Sequence, residues 1–148
     1  MASWAEFEKS APEFAGRVRG LMSARKHLTM ATLRRDGSPR ISGTEVQFKK
    51  TGLHIGSMPH AMKARDLQRD PRVAIHGPTT DPPEKDPAGW VGEAKIAGIA
   101  KELKTRAASH TFRIDIEEAV ITRLNEAGTH LLVESWNPKR GYRKLERE

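Results

Sequence analysis

Residues 53–73 read LHIGSMPHAMKARDLQRDPRV, and this stretch is the most informative part of the chain. A short apolar strand ends at Gly56-Ser57, and a short helix then carries Lys63 before a second strand begins near Arg72. A helix N-terminus carries roughly half a positive charge and unpaired N–H groups, so this layout fits a bound phosphate. The alternative interpretation is a surface loop followed by a solvated basic helix.

The chain has 148 residues, of which 36% are hydrophobic and 30% are charged. This length fits one domain that buries about two-thirds of its unfolded surface. The low apolar content predicts a small core, part of whose apolar surface is covered in a dimer.

Cysteine is absent, which excludes disulfides, thiol nucleophiles and cysteine metal ligands and fits a reducing cytoplasm. No window approaches the roughly 18 apolar residues that a membrane-spanning helix needs. The opening sequence MASWAEFEKS places acidic residues where a secretory signal needs an apolar run. We therefore expect a soluble, unprocessed, cytoplasmic protein with no membrane partner.

The formal charge of +7 is compatible with nucleic acid, a membrane surface or an anionic small ligand. The basic residues are spread along the chain and mixed with acidic ones, without a basic block or interleaved aromatic residues. A solvated surface with one anionic pocket explains this pattern, and we expect no nucleic-acid partner. A basic nucleic-acid-binding barrel remains the alternative from another class.

Two capping-box patterns, SWAE from Ser3 and SAPE from Ser10, predict helices near residues 4–9 and 11–25. From residue 28 the apolar period becomes that of strands, and turn signals at residues 36, 51 and 127 predict hairpins. The local turns favour an antiparallel sheet, and the short spacing favours a closed or nearly closed barrel. The predicted strands are 28–33, 41–48, 53–57, 73–76, 91–103 (bent at Gly98), 112–116, 119–124 and 131–136, with a helix at 60–69 and a helical turn at 106–110.

Standard catalytic motifs are missing from the sequence, including GxSxG, HExxH, GxGxxG and the P-loop. The six histidines have no metal-ligand spacing, so we predict no metal site. An enzyme without its own acid–base group can still act if a cofactor carries the chemistry.

Four segments, in this order and spacing, resemble the pyridoxamine 5'-phosphate oxidase-like family of flavin-binding split β-barrels. They are ATLRRDGSPRISGTEV (31–46), GSMPHAMKARDLQRDPRV (56–73), GEAKIAGIAKEL (92–103) and ESWNPKRGYRKLER (134–147). The resemblance implies a mainly β, α+β protein: an antiparallel split β-barrel at 27–148 with an N-terminal helical segment at 1–25 and short peripheral helices. It also implies one cofactor-binding domain over residues 1–148 and a homodimer with its cofactor sites between the subunits.

The resemblance further implies a set of cofactor-binding residues. The strand at 40–46 meets the flavin ring, the end of the third strand approaches the ribityl chain, and Lys63 holds the phosphate. Trp136 and Arg143 are contributed by the second subunit, although Trp136 is alternatively a core aromatic residue. The implied residues are Arg40, Ile41, Ser42, Gly56, Ser57, Met58, Lys63, Glu93, Trp136 and Arg143.

The cofactor is FMN or, alternatively, the deazaflavin coenzyme F(420), whose anionic tail Lys49, Lys50 and Arg65 would serve. Met62 stands where true pyridoxamine phosphate oxidases carry an arginine before Lys63, and their C-terminal arginine–histidine motif is missing. Vitamin B6 oxidation is therefore not expected.

The implied activity is hydride transfer between the cofactor and a small conjugated substrate, with no catalytic side chain identified. The alternative is a non-catalytic protein that binds or senses flavin, haem or bilin, for which His76 and His110 are candidate iron ligands.

Overall fold

The computed structural model describes residues 1–147, which form three α-helices and nine strands. The helices are α1 (Trp4–Ser10), α2 (Pro12–Met22) and α3 (Met62–Arg69). The strands are β1 (Leu28–Leu33), β2 (Pro39–Thr44), β3 (Val46–Lys49), β4 (Gly52–Ser57), β5 (Arg72–His76), β6 (Glu93–Leu103), β7 (His110–Leu124), β8 (Leu131–Asn137) and β9 (Gly141–Arg147).

The first predicted helix cap is confirmed and the second is wrong. The Ser3 hydroxyl accepts a hydrogen bond from the backbone N–H of Glu6 at 3.1 Å, which closes the first turn of α1. Helix α2 is instead capped by Ala11 without a side-chain bond, and it ends at Met22 rather than near residue 25. The Ser10 hydroxyl contacts β8, as described below, so a tertiary contact replaces the local cap.

The sheet is antiparallel throughout, as predicted, and its strand order is β2-β1-β5-β6-β7-β4-β3. Strands β8 and β9 extend it from β7. The predicted strand 41–48 is wrong, because the chain breaks at Glu45 into two strands. β2 pairs with β1, and β3 pairs with β4. The two consecutive strands β2 and β3 therefore lie at opposite ends of the strand order.

Strand β7 is continuous, whereas the sequence predicted two strands with a gap at the acidic residues Glu117 and Glu118. In the β6–β7 register Ala97 pairs with Glu118 and Gly98 with Ile116, so Glu117 is the extra residue of a bulge. The bulge lies opposite Gly98, where the sequence predicted a bend of β6. The helical turn predicted at 106–110 is wrong, since residues 106–109 form bends and β7 begins at His110. Strand β9 was not predicted.

The core lies between the N-terminal helices and the sheet. Phe7 of α1 packs edge-on against Trp4 and Phe14, and its ring lies 4.5 Å from that of Trp136 on β8. Within the described residues, no helix has the length and apolar character needed to cross a membrane. The folded sheet leaves the junction of β4 and α3 at the surface, beside the turn from β2 into β3.

Candidate functional site

A cleft of about 570 Å³ lies where β4 passes into α3. It collects residues from β2, β3, β4, α3 and the start of β7. Its lining consists of His27, Gly43, Thr44, Glu45, Gln47, Lys49, His54, Ile55, Gly56, Ser57, Met58, Pro59, Lys63, Ser109 and Thr111. The predicted junction therefore faces a cleft that the β2–β3 segment completes from the other side.

Lys63 stands in the first turn of α3 and is half-buried. Its Nζ donates to the backbone carbonyl oxygen of Gly43 at 2.7 Å. Burial lowers the pKa of the Lys63 ammonium, since desolvation penalises the charged form. A bound dianion would stabilise that charge, so Lys63 fits an anion-binding role.

The N-terminus of α3 has no side-chain cap. Ala61 occupies the capping position, and no side chain in the described part of the chain accepts a hydrogen bond from the first turn. The unpaired N–H groups of a first helical turn and the helix dipole both favour an anion. Lys63, in this first turn, brings positive charge to the cleft.

Ser57, at the end of β4, has a buried hydroxyl oxygen with no hydrogen-bond partner among the described residues. A buried polar group without a partner costs about 1–3 kcal/mol, so such a group in a cleft calls for a ligand or ordered water. A phosphate oxygen accepts hydrogen bonds from both a hydroxyl and an ammonium. Ser57 and Lys63 therefore fit the phosphate group that the resemblance implies.

His54 is a residue of the cleft that sequence reasoning missed. Its side chain is 6% exposed, Nε2 lies 3.0 Å from the Thr51 hydroxyl, and Nδ1 has no partner among the described residues. Burial, together with the charges of Lys49 and Arg113, lowers its pKa, which keeps the ring neutral. In the sequence, LHI reads as an ordinary buried strand, so only the placement of β4 beside the cleft identifies this histidine.

Four of the predicted site residues, Gly56, Ser57, Met58 and Lys63, line the cleft. The three predicted residues at the start of β2 do not: the part of β2 that reaches the cleft is Gly43 and Thr44, and Glu45 follows it.

Arg40, Ile41 and Ser42 each lie in a different environment outside the cleft. The Arg40 guanidinium donates to the buried carboxylate of Asp66 at 2.7 Å. Ile41 is 75% exposed, and Ser42 is half-buried opposite Met30. None of these three side chains therefore lines the cleft.

The remaining predicted residues lie outside the cleft. Glu93 begins β6 and its carboxylate is 3.5 Å from the ring of His76, while Arg143 is exposed on β9. Trp136 is 2% exposed and its indole nitrogen donates to Ser10 at 2.9 Å. This environment fits the alternative in which Trp136 is a core aromatic residue. A side chain enclosed in its own subunit offers no surface to a cofactor bound by the other subunit.

A second, mainly apolar groove of about 430 Å³ is formed by residues of β1, β2, β5, β6 and β7. The exposed Ile41 and the half-buried His76 both lie in it. The groove is lined by Thr29, Met30, Ala31, Ile41, Ala74, Ile75, His76, Lys95, Ile96, Ala97, Glu118 and Val120. Such a face on a sheet is suited to burial against another apolar surface.

A buried charge cluster joins α2 to β7, β8 and β9 and was not predicted. Glu134 is 1% exposed and accepts hydrogen bonds from Arg17, Arg123 and Tyr142 at 2.6–2.9 Å. Burial alone would raise the pKa of Glu134, but the bonds from Arg17, Tyr142 and Arg123 outweigh it and lower the pKa to about 2. The cluster fastens α2 to the sheet.

Within residues 1–147, no group of three or more His, Asp or Glu side chains is placed to hold a metal ion.

No protein-family model matches the chain, and no curated protein matches its sequence. Several solved structures match its fold. PhzG from Burkholderia lata, solved with tetrahydrophenazine-1-carboxylic acid, is 12% identical with a TM-score of 0.68; the match covers 97% of this chain and 96% of PhzG. A pyridoxamine 5'-phosphate oxidase-related, FMN-binding protein from Nostoc punctiforme is also 12% identical, with a TM-score of 0.63 and coverage of 96% and 97%.

HutZ, the heme storage protein from Vibrio cholerae, is 18% identical with a TM-score of 0.53; the match covers 73% of this chain and 90% of HutZ. These likenesses establish the fold class. The chain has the pyridoxamine 5'-phosphate oxidase-like split-barrel fold, which confirms the α+β fold that its sequence predicts.

Proposed function

We propose that the cleft at the β4–α3 junction binds a phosphorylated flavin-type cofactor, FMN or alternatively the deazaflavin coenzyme. The observation that supports this most strongly is the buried hydroxyl of Ser57, which has no hydrogen-bond partner within residues 1–147 and lies in the same cleft as Lys63 of the first turn of α3. The FMN-binding protein of the same fold from Nostoc punctiforme adds support.

The bound cofactor would supply hydride transfer to or from a small conjugated substrate, which makes the protein an oxidoreductase. The chain itself holds the phosphate with Lys63 and Ser57 and offers the backbone of residues 43–45 to the rest of the ligand. His54 provides a neutral imidazole in the cleft. We assign no proton-transfer step to any side chain.

The protein acts as a homodimer in this proposal, with the apolar groove as the contact between the two copies. The proposed contact depends most on Ile41. This isoleucine is 75% exposed and lines the apolar groove, and leaving its apolar surface in water is unfavourable. Trp136 has no part in this contact. Sedimentation of Ile41→Glu should then show a monomer, while Val91→Glu, which changes another exposed apolar residue, should leave the dimer intact.

Titration with FMN tests the cofactor proposal directly. Purified protein should be yellow or should take up FMN with quenching of the flavin fluorescence, and it should bind riboflavin more weakly because riboflavin lacks the phosphate. Reduced cofactor and candidate acceptors then test turnover. A colourless protein that takes up neither FMN nor deazaflavin contradicts the proposal.

A second candidate function is haem binding without catalysis. It is favoured by one observation, the presence of His76 in the apolar groove, and by the fold shared with the heme storage protein HutZ. His110 is less suitable, since its Nδ1 lies 2.9 Å from the Glu102 carboxylate. Haem titration should shift the Soret band from its position in free haem, and His76→Ala should abolish this shift; a shift that survives this change excludes His76 as the iron ligand.

A further inference from the structure

Asp66 lies at the centre of a buried polar cluster on α3, one turn after Lys63. We propose that Asp66 is a positioning residue: its ion pair with Arg40 fixes α3 against β2, so that Lys63 is held where it selects ligands that carry a phosphate. The inference rests on the proposed function of the cleft, and neither residue contacts the ligand itself.

The carboxylate of Asp66 is 1% exposed and is bound from three directions. The Arg40 Nε donates to it at 2.7 Å and the Thr32 hydroxyl at 2.8 Å, so that β2 and β1 both hold it. Arg69, one turn further along α3, donates to Asp66 at 3.0 Å and to the carbonyl oxygen of Leu33 at 2.8 Å. Helix α3 is thus fastened to two strands through one side chain.

Two contacts join α3 to β2, and their order along the helix is the reverse of their order along the strand. Arg40 binds Asp66, and Gly43 binds Lys63. The spacing is three residues on each element, which is about 10 Å along the strand and about 4.5 Å along the helix. Two separated contacts fix both the position and the rotation of a short helix. The Arg40–Asp66 contact therefore determines where Lys63 can meet Gly43.

Helix α3 has eight residues, and a helix of that length is unstable alone in water. Its position therefore depends on tertiary contacts such as the Asp66 cluster. Burial alone would raise the pKa of Asp66, but the bonds from Arg40, Thr32 and Arg69 outweigh it and hold the pKa below its usual value. The side chain accordingly stays ionised and keeps its directional bonds at neutral pH.

If this position only stabilised the fold, an apolar side chain would serve equally well, since buried ion pairs are often replaced by apolar residues without loss of stability. A buried pair with three donors instead specifies orientation. The orientation matters here because the part of β2 next to Arg40 leads into the cleft, while α3 carries the phosphate-binding lysine. The Asp66–Arg40 ion pair therefore sets the separation between the end of β2 and Lys63.

Equilibrium binding of FMN and riboflavin to the full chain tests the inference. In Asp66→Asn the affinity for FMN should fall about tenfold, the effect of one weakened charge-assisted hydrogen bond, while the affinity for riboflavin changes less than about twofold. The ratio of the two affinities is the informative readout, because general loosening of the fold weakens both ligands together. Asp70→Asn, which removes a surface carboxylate paired with Arg72, is the matched control and should leave the ratio unchanged.

Two further variants keep the test decisive. Arg40→Gln should reproduce the selective loss for FMN, and the double variant with Asp66→Asn should be no worse than either change alone. If Asp66→Asn does not fold, Thr32→Val removes one of the three bonds and should give a smaller loss of the same selective kind. An unchanged ratio, or equal loss of FMN and riboflavin, overturns the inference. Failure of the unaltered protein to bind FMN would instead contradict the proposed function before any variant is compared.

Discussion

The indole nitrogen of Trp136 on β8 donates to the hydroxyl of Ser10, at the end of α1, over 2.9 Å. The same ring lies 4.5 Å from that of Phe7, so Trp136 fastens the N-terminal helices to the sheet. Because Ser10 is exposed, its hydroxyl can turn to water when the indole is removed.

Replacing Trp136 should therefore affect stability and not cofactor binding. Trp136→Phe loses one hydrogen bond and some packing, so the free energy of unfolding should fall by about 1–2 kcal/mol in urea denaturation. FMN titration of the same variant should give the unaltered affinity. A variant of full stability with weakened FMN binding would return Trp136 to the role that the resemblance implied.

Removal of the Lys63 ammonium should weaken the phosphate contact. Lys63→Ala is expected to reduce FMN affinity by about 1.5–3 kcal/mol, the contribution of a charge-assisted hydrogen bond. Lys101→Ala removes an exposed lysine on β6 and serves as the charge-matched control. Equal losses in both variants would mean that net charge, rather than this site, attracts the flavin.

The unpaired hydroxyl of Ser57 leads to a prediction with opposite signs for stability and binding. Ser57→Ala removes a buried group that has no partner among residues 1–147, so the cofactor-free protein should be as stable as before or more stable by up to about 1 kcal/mol. Its FMN affinity should nevertheless fall. Ser42→Ala, on the part of β2 outside the cleft, should change neither quantity, and loss of FMN binding there would place the ligand elsewhere.

Gly98 allows the close approach of β6 to β7 at the bulge. A Cβ at this position would collide with the backbone carbonyl oxygen of Asp115, which cannot move aside without breaking the ladder. Gly98→Ala should cost about 1–3 kcal/mol or more in unfolding free energy.

Gly16 on α2 provides the matched glycine. It is exposed and has no atom within 4 Å of a Cβ, so Gly16→Ala should stabilise the protein by about 0.5–1 kcal/mol. Similar effects of the two substitutions would contradict the close approach at the bulge.

The Glu134 cluster predicts acid sensitivity. The pKa of Glu134 is lowered from 4.5 to about 2 in the folded protein, so the ionised form stabilises the fold. That contribution is fully present above pH 4.5 and is lost as the pH falls towards 2.

Glu134→Gln should lower the free energy of unfolding at neutral pH by about 1–3 kcal/mol, because Arg17 and Arg123 lose a buried anion while Arg17 keeps its pair with Glu13. It should also flatten the decline in stability between pH 4.5 and 2. Glu117→Gln, at the exposed bulge position, should retain the steep decline. A steep decline in the Glu134 variant would assign the acid sensitivity to other carboxylates.

Most of the local elements could be predicted because their signals lie within a few residues. The turn at Asp36-Gly37 and the apolar run before Ser57 identified their strands, since a hairpin depends on its own turn and its own alternation. Strand β9 carries the charged sequence GYRKLER and lacks that alternation, and only its pairing with β8 makes it a strand. The break at Glu45 likewise depends on which neighbours its two flanking strands meet.

The sequence by itself determined the part of the site that is contiguous: Ser57 and Lys63 are six positions apart on a strand and the helix that follows it, so short-range geometry brings them to one end of the cleft. Only the tertiary structure decided what opposes them. The contacts of Lys63 with Gly43 and of Asp66 with Arg40 join residues more than 19 positions apart, and such contacts depend on how the sheet is ordered. Strand order is set by burial of the whole core and by long-range pairing, for which a run of neighbouring residues contains no signal.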